Sequence, residues 1–364
     1  MTRRYRDTVV RVDLEAIRHN VRTVHPPAAA VMAVVKANAY GHGSVPVAGA
    51  ALAAGATRIG VALVEEGIEL REGGVTAPTL VLSEFPPGSE ADALAAELTP
   101  TLCTQEGLAR LQAVAPPGLN VHIKVDTGMH RIGVWPPEAT TGFVADVVAA
   151  GFVVEGLWTH LARAEEEEPT TDEQLARFSG VIDEVKAAGT VPAVLHAANS
   201  AATILRPASH FDLVRPGIAI YGIQPAPGVG TDLRPALTWR SAVTAVKRLP
   251  AGERLSYGHR YELAKDSWVA TVAVGYADGY PRAASSRADV LIGGRRRRVA
   301  GAVTMDQLMV DCGEDQPTPG EPVILIGRQG QERITADELA AHMGAISYEL
   351  LVGIGSRVPR EYVG

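Results

Sequence analysis

The sequence predicts an α/β chain: a (β/α)8 barrel of the TIM type followed by a C-terminal, mostly-β domain. Two observations carry this reading. Between residue 31 and about 217, short apolar runs alternate with Ala-rich stretches of helical spacing. Beyond about residue 225 the rhythm changes to Val/Thr-rich runs bounded by Gly and Pro, with almost no helix between them. Near-continuous apolar strands belong to a sheet buried on both faces, which is parallel and crossed by helices. A count of eight selects the closed barrel. One miscounted strand would restore an open, doubly wound sheet.

In chain order, TVVRVDL (8–14) precedes the barrel and can join either domain. The barrel strands are VMAVVKA (31–37), TRIGVAL (57–63), TLVLSE (79–84), TPTLC (99–103), NVHIKVD (120–126), FVVEGLWTHL (152–161), AVLHAAN (193–199) and DLVRP (212–216). The fourth and eighth are the shortest. Helical stretches fall at 44–54, 89–97, 105–114, 139–150 and 171–188. PAPGVGTDLRP (225–235) is a Pro/Gly-rich break. The barrel is therefore assigned to 1–225, with the first twelve residues or so free to join the β domain at 226–364. That domain reads ALTWRSAVTAVKRL, WVATVAVGYA, ADVLIGG, RRVAGAVTMDQLMVD and EPVILIG. Its one helix, ITADELAAHMG, opens with Thr335 as N-cap and Glu338 three residues on. RRRR (295–298) reads as a solvated hairpin edge and EEEE (165–168) as a solvated loop.

Composition narrows the function. The 364 residues are 46% hydrophobic and 21% charged, ordinary for a globular protein. The net charge of −7 lacks the basic footprint of a nucleic-acid binder. Cys103 and Cys312 lie far apart, which is neither a disulfide framework nor a metal cluster. No apolar window reaches membrane-spanning length and the N-terminus has no signal-peptide pattern, so a cytoplasmic setting is expected. Only five lysines occur, at 36, 124, 186, 247 and 265, so a Lys in an apolar strand calls for a reason.

Barrels place working residues at the C-terminal ends of their strands. There stand Lys36, Asn38, Tyr40, His42; Lys124, Asp126, Arg131; His160; His196, Asn199, Ser200; and Arg215, Gly217, Ile218. Lys36 follows VMAVV, a run that should be buried. A desolvated Lys with a lowered pKa forms Schiff bases; the alternative is a Lys that snorkels from a strand end. Gly217, Ile218 and Ser200 fall where barrels bind phosphate, or else form a plain tight turn. A Schiff-base Lys and a phosphate cradle on one barrel face point to pyridoxal 5′-phosphate. In the second domain, Tyr257 sits between Ser256 and Gly258, on a turn that leaves its hydroxyl free.

The motifs AVVKANAYGHG, KVDTGMHRIG, WTHLA, HAANSAA, LVRPGIAIYG, LSYGHRY, VGYADGYPR, GAVTMDQLMVD and SYELLVGIGSRVPR resemble, in order, those of bacterial alanine racemases, from about residue 9 to 362. The resemblance implies a cytoplasmic homodimer with composite active sites, acting on a small amino acid, with no nucleic-acid or membrane partner. It implies interconversion of L- and D-alanine at Cα of a pyridoxal-phosphate aldimine, feeding peptidoglycan synthesis. Lys36 would anchor the cofactor and act as one acid/base group; Tyr257, reaching the partner subunit's site, would be the other. Arg215 would donate to the pyridine nitrogen. Tyr40, Ser200, Gly217, Ile218 and Tyr348 would hold the phosphate. His160 would pack near the ring and link Tyr257 to Arg215. Arg131 would lie near the cofactor phenolate and the substrate carboxylate, Met305 and Asp306 at the substrate end, and Tyr276 in the entry channel. Lys124 matches a lysine that is often carbamylated; a neutral or salt-bridged Lys is the alternative. No metal is expected.

Two departures stand out. His130 occupies a position where many relatives have Gly, and the acidic run EEEEP follows THLARA. Other readings on the same scaffold are a racemase of another small amino acid such as serine, a decarboxylase, and a non-catalytic pyridoxal-phosphate protein. The β domain and Tyr257 weigh against the last. Arg215 weighs against the decarboxylase, which usually sets an acid against the pyridine nitrogen.

Overall fold

The computed structural model describes residues 5–166 and 169–364. The chain divides into two compact units. One comprises Glu15–Ala39 and Gly43–Pro235; the other comprises residues 5–14, Tyr40–His42 and Ala236–Gly364. Strand β1 (Val9–Asp13) lies in the second of these.

The first unit is the barrel. Its strands are β2 (Ala30–Val34), β3 (Arg58–Val61), β4 (Thr79–Val81), β5 (Leu98–Thr99), β6 (Thr101–Leu102), β7 (Asn120–Lys124), β8 (Val153–Trp158), β9 (Val194–His196) and β10 (Leu213–Val214). All their pairings are parallel, in the orders β10-β2-β3-β4-β5 and β6-β7-β8-β9. Strands β5 and β6 are two halves of the fourth barrel strand, broken at Pro100. Proline has no N–H for the ladder, but its carbonyl still accepts from His122 N–H at 2.9 Å. The ring closes where Asp212 N–H donates to Leu195 O and Arg215 N–H to Ala198 O. Met32, Leu80 and Leu213 pack together from β2, β4 and β10.

Helices cross between the strands at Ser44–Ala53, Glu90–Ala95, Gln105–Gln112, Thr140–Ala149 and Pro169–Ala187, close to the predicted stretches. Leu14–Val24 and Val64–Glu72 are also helical. Every barrel strand stops earlier than its apolar run suggests. β2 ends at Val34, β7 at Lys124 and β8 at Trp158, so Lys36, Asp126 and His160 lie on loops beyond the strand ends. Glu165 and Glu166 lie in a turn, and the rest of the EEEE run, Glu167–Glu168, is outside the described residues.

The second unit is built on a nine-stranded sheet. Strand β11 (Leu237–Leu249) pairs antiparallel with Ser267–Val272 on one side and with Pro322–Gln329 on the other, with irregular register in both. Those shifts let one long strand bend far enough to close a ring through Asp289–Ile292, Arg295–Val299 and Leu308–Gly313. β1 extends the sheet, antiparallel to β11 and parallel to Arg360–Val363. The arginine run 295–298 is a hairpin strand but not an edge: it pairs with Asp289–Ile292 and with Leu308–Gly313. Acids neutralise it, with Arg296 on Glu338 and Glu332, Arg297 on Asp315 and Arg298 on Asp289. Thr335 Oγ accepts from Glu338 N–H at 3.0 Å and caps the helix Ala336–Ala341.

Two glycines of the barrel unit separate backbone strain from backbone clash. Gly118 and Gly222 both have left-handed φ, +84° and +83°. A methyl at Gly118 meets open space, whereas one at Gly222 would sit 1.9 Å from the Arg234 carbonyl oxygen. Gly118→Ala should cost about 1–2 kcal/mol. Gly222→Ala should cost about 4 kcal/mol or more, because the backbone itself must move. Urea unfolding of the two variants tests this, and equal losses would contradict it.

Candidate active site

At the C-terminal end of β2 the chain leaves the sheet at Lys36 and enters a left-handed turn. Ala37, Asn38, Ala39 and Tyr40 all have φ near +50°. Such a run of non-glycine residues is costly, and local polar groups hold it. Ala39 N–H donates to Val35 O, and Gly43 N–H to Asn38 O. Ser44 N–H donates to Asn38 Oδ1 at 2.9 Å. The Glu66 carboxylate accepts from Ala37 N–H at 2.6 Å and from Ala62 N–H at 2.8 Å, so one acid ties the turn to the start of the helix Val64–Glu72. Lys36 is half-buried. Burial, then the Arg131 guanidinium, holds its amine below the usual lysine range, against the pull of Glu66.

Arg215, at the end of β10, is 4% exposed. Its terminal nitrogens donate to Thr159 O (2.8 Å), Ala197 O (3.0 Å) and His196 Nδ1 (3.0 Å), with His160 Nδ1 at 3.4 Å. None of these contacts uses its Nε–H. Lys124, at the end of β7, is 3% exposed, and its ammonium lies 4.3 Å from the centre of the Trp158 ring. The Arg215 guanidinium lies 4.8 Å from the same ring centre. Burial, then Arg131 and Arg215, brings the Lys124 pKa down to about 7. His160 is pushed well below the histidine range by burial, then by Arg215, Lys124, Arg131 and Lys36. Arg131 is exposed on the loop after β7. Asp126 shapes that loop by accepting from the N–H groups of Gly128, Met129 and His130 at 3.0–3.1 Å. Lys124, Arg131 and His160 line one small cleft there. Ser200, 5% exposed, opens the helix after β9, and its Oγ accepts from Gly217 N–H (2.8 Å) and Ala219 N–H (3.3 Å). Gly217 precedes the short turn that begins at Ile218.

In the second unit the predicted residues form their own groups. Tyr257 is 76% exposed on a turn bracketed by left-handed Ser256 and Gly258. Ser256 Oγ donates to Ala302 O at 2.7 Å and pins that turn beside the loop carrying Met305, itself 53% exposed, and Asp306. Tyr276 N–H donates to Thr304 O and Ala277 N–H to Met305 O, so these loops hold each other. Asp306 pairs with Arg357 at 2.8 Å. Tyr40 and Tyr348 lie with ring centres 5.9 Å apart.

Sequence reasoning missed several supporting groups. Trp158 sat inside a quoted motif but was given no role; it cushions two cations. Glu66 carried no signal in the sequence: with Leu63 at the N-cap position the usual capping pattern is absent, and only the fold shows its carboxylate accepting from Ala62 and Leu63 N–H. Among the described residues no cluster of His, Cys, Asp or Glu is arranged to hold a metal ion, and no helix is long and apolar enough to cross a membrane.

Known proteins match both units. Residues 12–225 match the alanine racemase N-terminal domain, and residues 236–362 match the alanine racemase C-terminal domain. An alanine racemase of Symbiobacterium thermophilum is 50% identical over 99% of this chain and 98% of its own length. One from Frankia casuarinae is 44% identical over 97% of this chain and 95% of its own. Among solved structures, the alanine racemase of Streptomyces lavendulae superposes with a TM-score of 0.94 at 39% identity, covering 100% of this chain and 98% of that one. That of Bacillus anthracis, with bound L-Ala-P, gives 0.94 at 38% identity, covering 100% and 96%. With a (β/α)8 barrel, a C-terminal β domain and both family domains matched in order, this chain belongs to the alanine racemase family.

Proposed function

We propose that the protein interconverts L- and D-alanine with pyridoxal 5′-phosphate, and that Lys36 and Tyr257 are its two acid/base groups. The observation that carries this is the amine of Lys36, held below the usual lysine range by burial, at a barrel mouth that also holds a buried Arg215 whose Nε–H makes none of its hydrogen bonds to the described residues. These donors fit the cofactor: an amine for its carbonyl, a permanent cation for its ring nitrogen, and the Ser200–Gly217 turn for its phosphate. When bound, the cofactor supplies a carbonyl that condenses with amines and a ring that draws electrons from Cα.

The residues then have distinct tasks. Lys36 Nζ anchors the cofactor and moves a proton on one face of Cα. Tyr257 Oη moves a proton on the other face. Arg215 donates to the ring nitrogen and cannot surrender a proton to it, so the nitrogen stays unprotonated and the ring remains a modest electron sink. By resemblance, Ser200, Gly217, Ile218, Tyr40 and Tyr348 hold the phosphate, and His160 bears on Arg215. Arg131, Met305 and Asp306 receive the substrate, and Tyr276 flanks its entry. Supply of D-alanine to peptidoglycan in the cytoplasm is the role this activity serves.

The functional assembly is a homodimer in which Tyr257 completes the partner's site. Its high exposure, shared by Met305 and by Tyr276 (43%), supports this reading, because a phenol with catalytic work needs a covered, ordered setting. Lys124 carries a carbamate. Its neutral amine attacks carbon dioxide, gives one N–H proton to water and becomes an anion beside Arg131. Unmodified, it would be a third cation near two arginines.

Four outcomes are expected. Lys36→Ala should abolish both the cofactor's visible absorbance and racemisation in either direction; near-normal turnover would refute the assignment. Tyr257→Phe should stop solvent exchange of the α-proton from one enantiomer and spare it from the other, and equal losses would make Tyr257 a binding group only. Mixing Lys36→Ala with Tyr257→Phe subunits should restore roughly a quarter of the sites, since half the dimers are mixed and each has one intact site. Silence after demonstrated subunit exchange would exclude the shared site. Labelled bicarbonate should give a carbamate carbon resonance absent from Lys124→Ala. It should fade as pH falls through about 7, where the amine takes a proton instead. A pH-independent signal would place the label elsewhere.

A further inference from the structure

Behind Arg215 the barrel interior holds two more histidines. His196 Nδ1 lies 3.0 Å from Arg215 Nη1, and His196 Nε2 lies 2.9 Å from His122 Nδ1. Both rings are completely buried. His122 Nε2 lies 3.4 Å from the Glu155 carboxylate and has no better-formed hydrogen bond among the described residues. Glu155 in turn pairs with Arg58. Trp158 stacks on His196 with ring centres 5.5 Å apart and planes 8° from parallel, which fixes that ring's plane.

The donors and acceptors along this line have one consistent assignment. Arginine only donates, so His196 Nδ1 must present a lone pair. His196 is then neutral, with its proton on Nε2, donated to His122 Nδ1. His122 Nδ1 is therefore also a lone pair, and its proton sits on Nε2, facing Glu155. Both imidazoles are held below the histidine range, chiefly by burial. The His122 imidazole, then Arg58, brings Glu155 down to about 2, so the far end stays anionic. The protein makes room for this arrangement. His122 pairs with Gly156 across the β7–β8 ladder, and a methyl at Gly156 would lie 2.1 Å from His122 Nδ1.

We propose that His122, seated in the space left by Gly156 and backed by Glu155 and Arg58, is a positioning residue that fixes the tautomer of His196 and through it the orientation of Arg215. This rests on the reading of Arg215 as the partner of the cofactor's ring nitrogen. A loosened Arg215 lets that nitrogen gain a proton from water, which strengthens the electron sink and favours transamination over return of the proton to Cα. In that side reaction alanine loses its amino group and two electrons to the cofactor. Hydrolysis leaves pyruvate and the cofactor's amine form, and the Cα proton ends on the cofactor carbon.

The test has two readouts on the cofactor-loaded enzyme. In the first, 15N-histidine NMR should show His122 and His196 as neutral Nε2–H tautomers at neutral pH, with His122→Phe shifting the His196 tautomer. Seeing His196 protonated on Nδ1 in the unsubstituted protein overturns the proposal. In the second, pyruvate formed per alanine racemised should rise on the order of tenfold in His122→Phe. It should rise less in Glu155→Ala, whose half-buried site serves as the test if His122→Phe does not fold. Arg215→Lys separates the two levels. If it raises the ratio and neither of the others does, the relay is wrong and the role of Arg215 stands. If all three leave the ratio unchanged, the role of Arg215 fails and the relay with it.

Discussion

A permanent cation in the interior of the barrel is the constraint around which the rest of the site is arranged. Taking a guanidinium out of water costs several kcal/mol, and only well-placed acceptors offset that. Arg215 finds them in two backbone carbonyls and the His196 ring nitrogen. Burial lowers its pKa to about 9, which still leaves it charged at neutral pH. In a medium of low polarity that charge reaches its neighbours strongly. It helps to keep His160 and His196 neutral and to lower the pKa of Lys124. With the exposed Arg131 acting in the same sense, the barrel mouth is a set of weakened bases around two guanidinium charges. The role proposed for Lys36 draws on that setting, since an amine locked in its ammonium form cannot accept a proton.

A second cost is carried at the end of β2. Four consecutive residues without glycine in the left-handed region cost about 1–2 kcal/mol each. The hydrogen bonds from Glu66, Asn38 and Ser44 offset part of this and over-determine the turn. A right-handed turn would continue as an ordinary helix from the strand end. The left-handed turn instead bends the chain away at once, so that Lys36 stands at the strand mouth while residues 40–42 join the other unit. Such strain persists only where the surrounding structure over-determines it, and here it adjoins the lysine proposed to react.

The fold was legible because it rests on apolar periodicity, which survives translation into structure even where boundaries move. The split at Pro100 shows the limit: TPTLC reads as one strand, but the missing N–H divides its ladder between two neighbours. Lys36 stood out because a lysine after VMAVV contradicts its surroundings, and its proposed role starts from that contradiction. Arg215 stood out by its place at a strand end, yet its role came from resemblance, since nothing in DLVRP tells which nitrogens are engaged. The residues that support them were not legible. Glu66, Trp158 and Gly156 act through contacts made by chain segments far apart in sequence, or through the absence of a side chain. The arginine run misled for a related reason: charge alone suggested an exposed edge, whereas acids from Asp289, Asp315, Glu332 and Glu338 make an internal strand tolerable.

His130 shows how a departure from the family pattern can be accommodated. Its φ of +55° lies in the region where glycine is free of strain and other residues are not. The imidazole meets the edge of Trp135 at 4.6 Å between ring centres and lies 3.7 Å from the Asp126 carboxylate. A glycine would offer neither contact. The same Asp126 gathers three backbone N–H groups of this loop, so an added interaction at residue 130 stiffens the segment that ends in Arg131. Arg131 is exposed, and its position follows from the loop that Asp126 shapes. The strain of a left-handed side chain at residue 130 is therefore set against a more rigid platform for Arg131, the guanidinium proposed above to receive the substrate carboxylate.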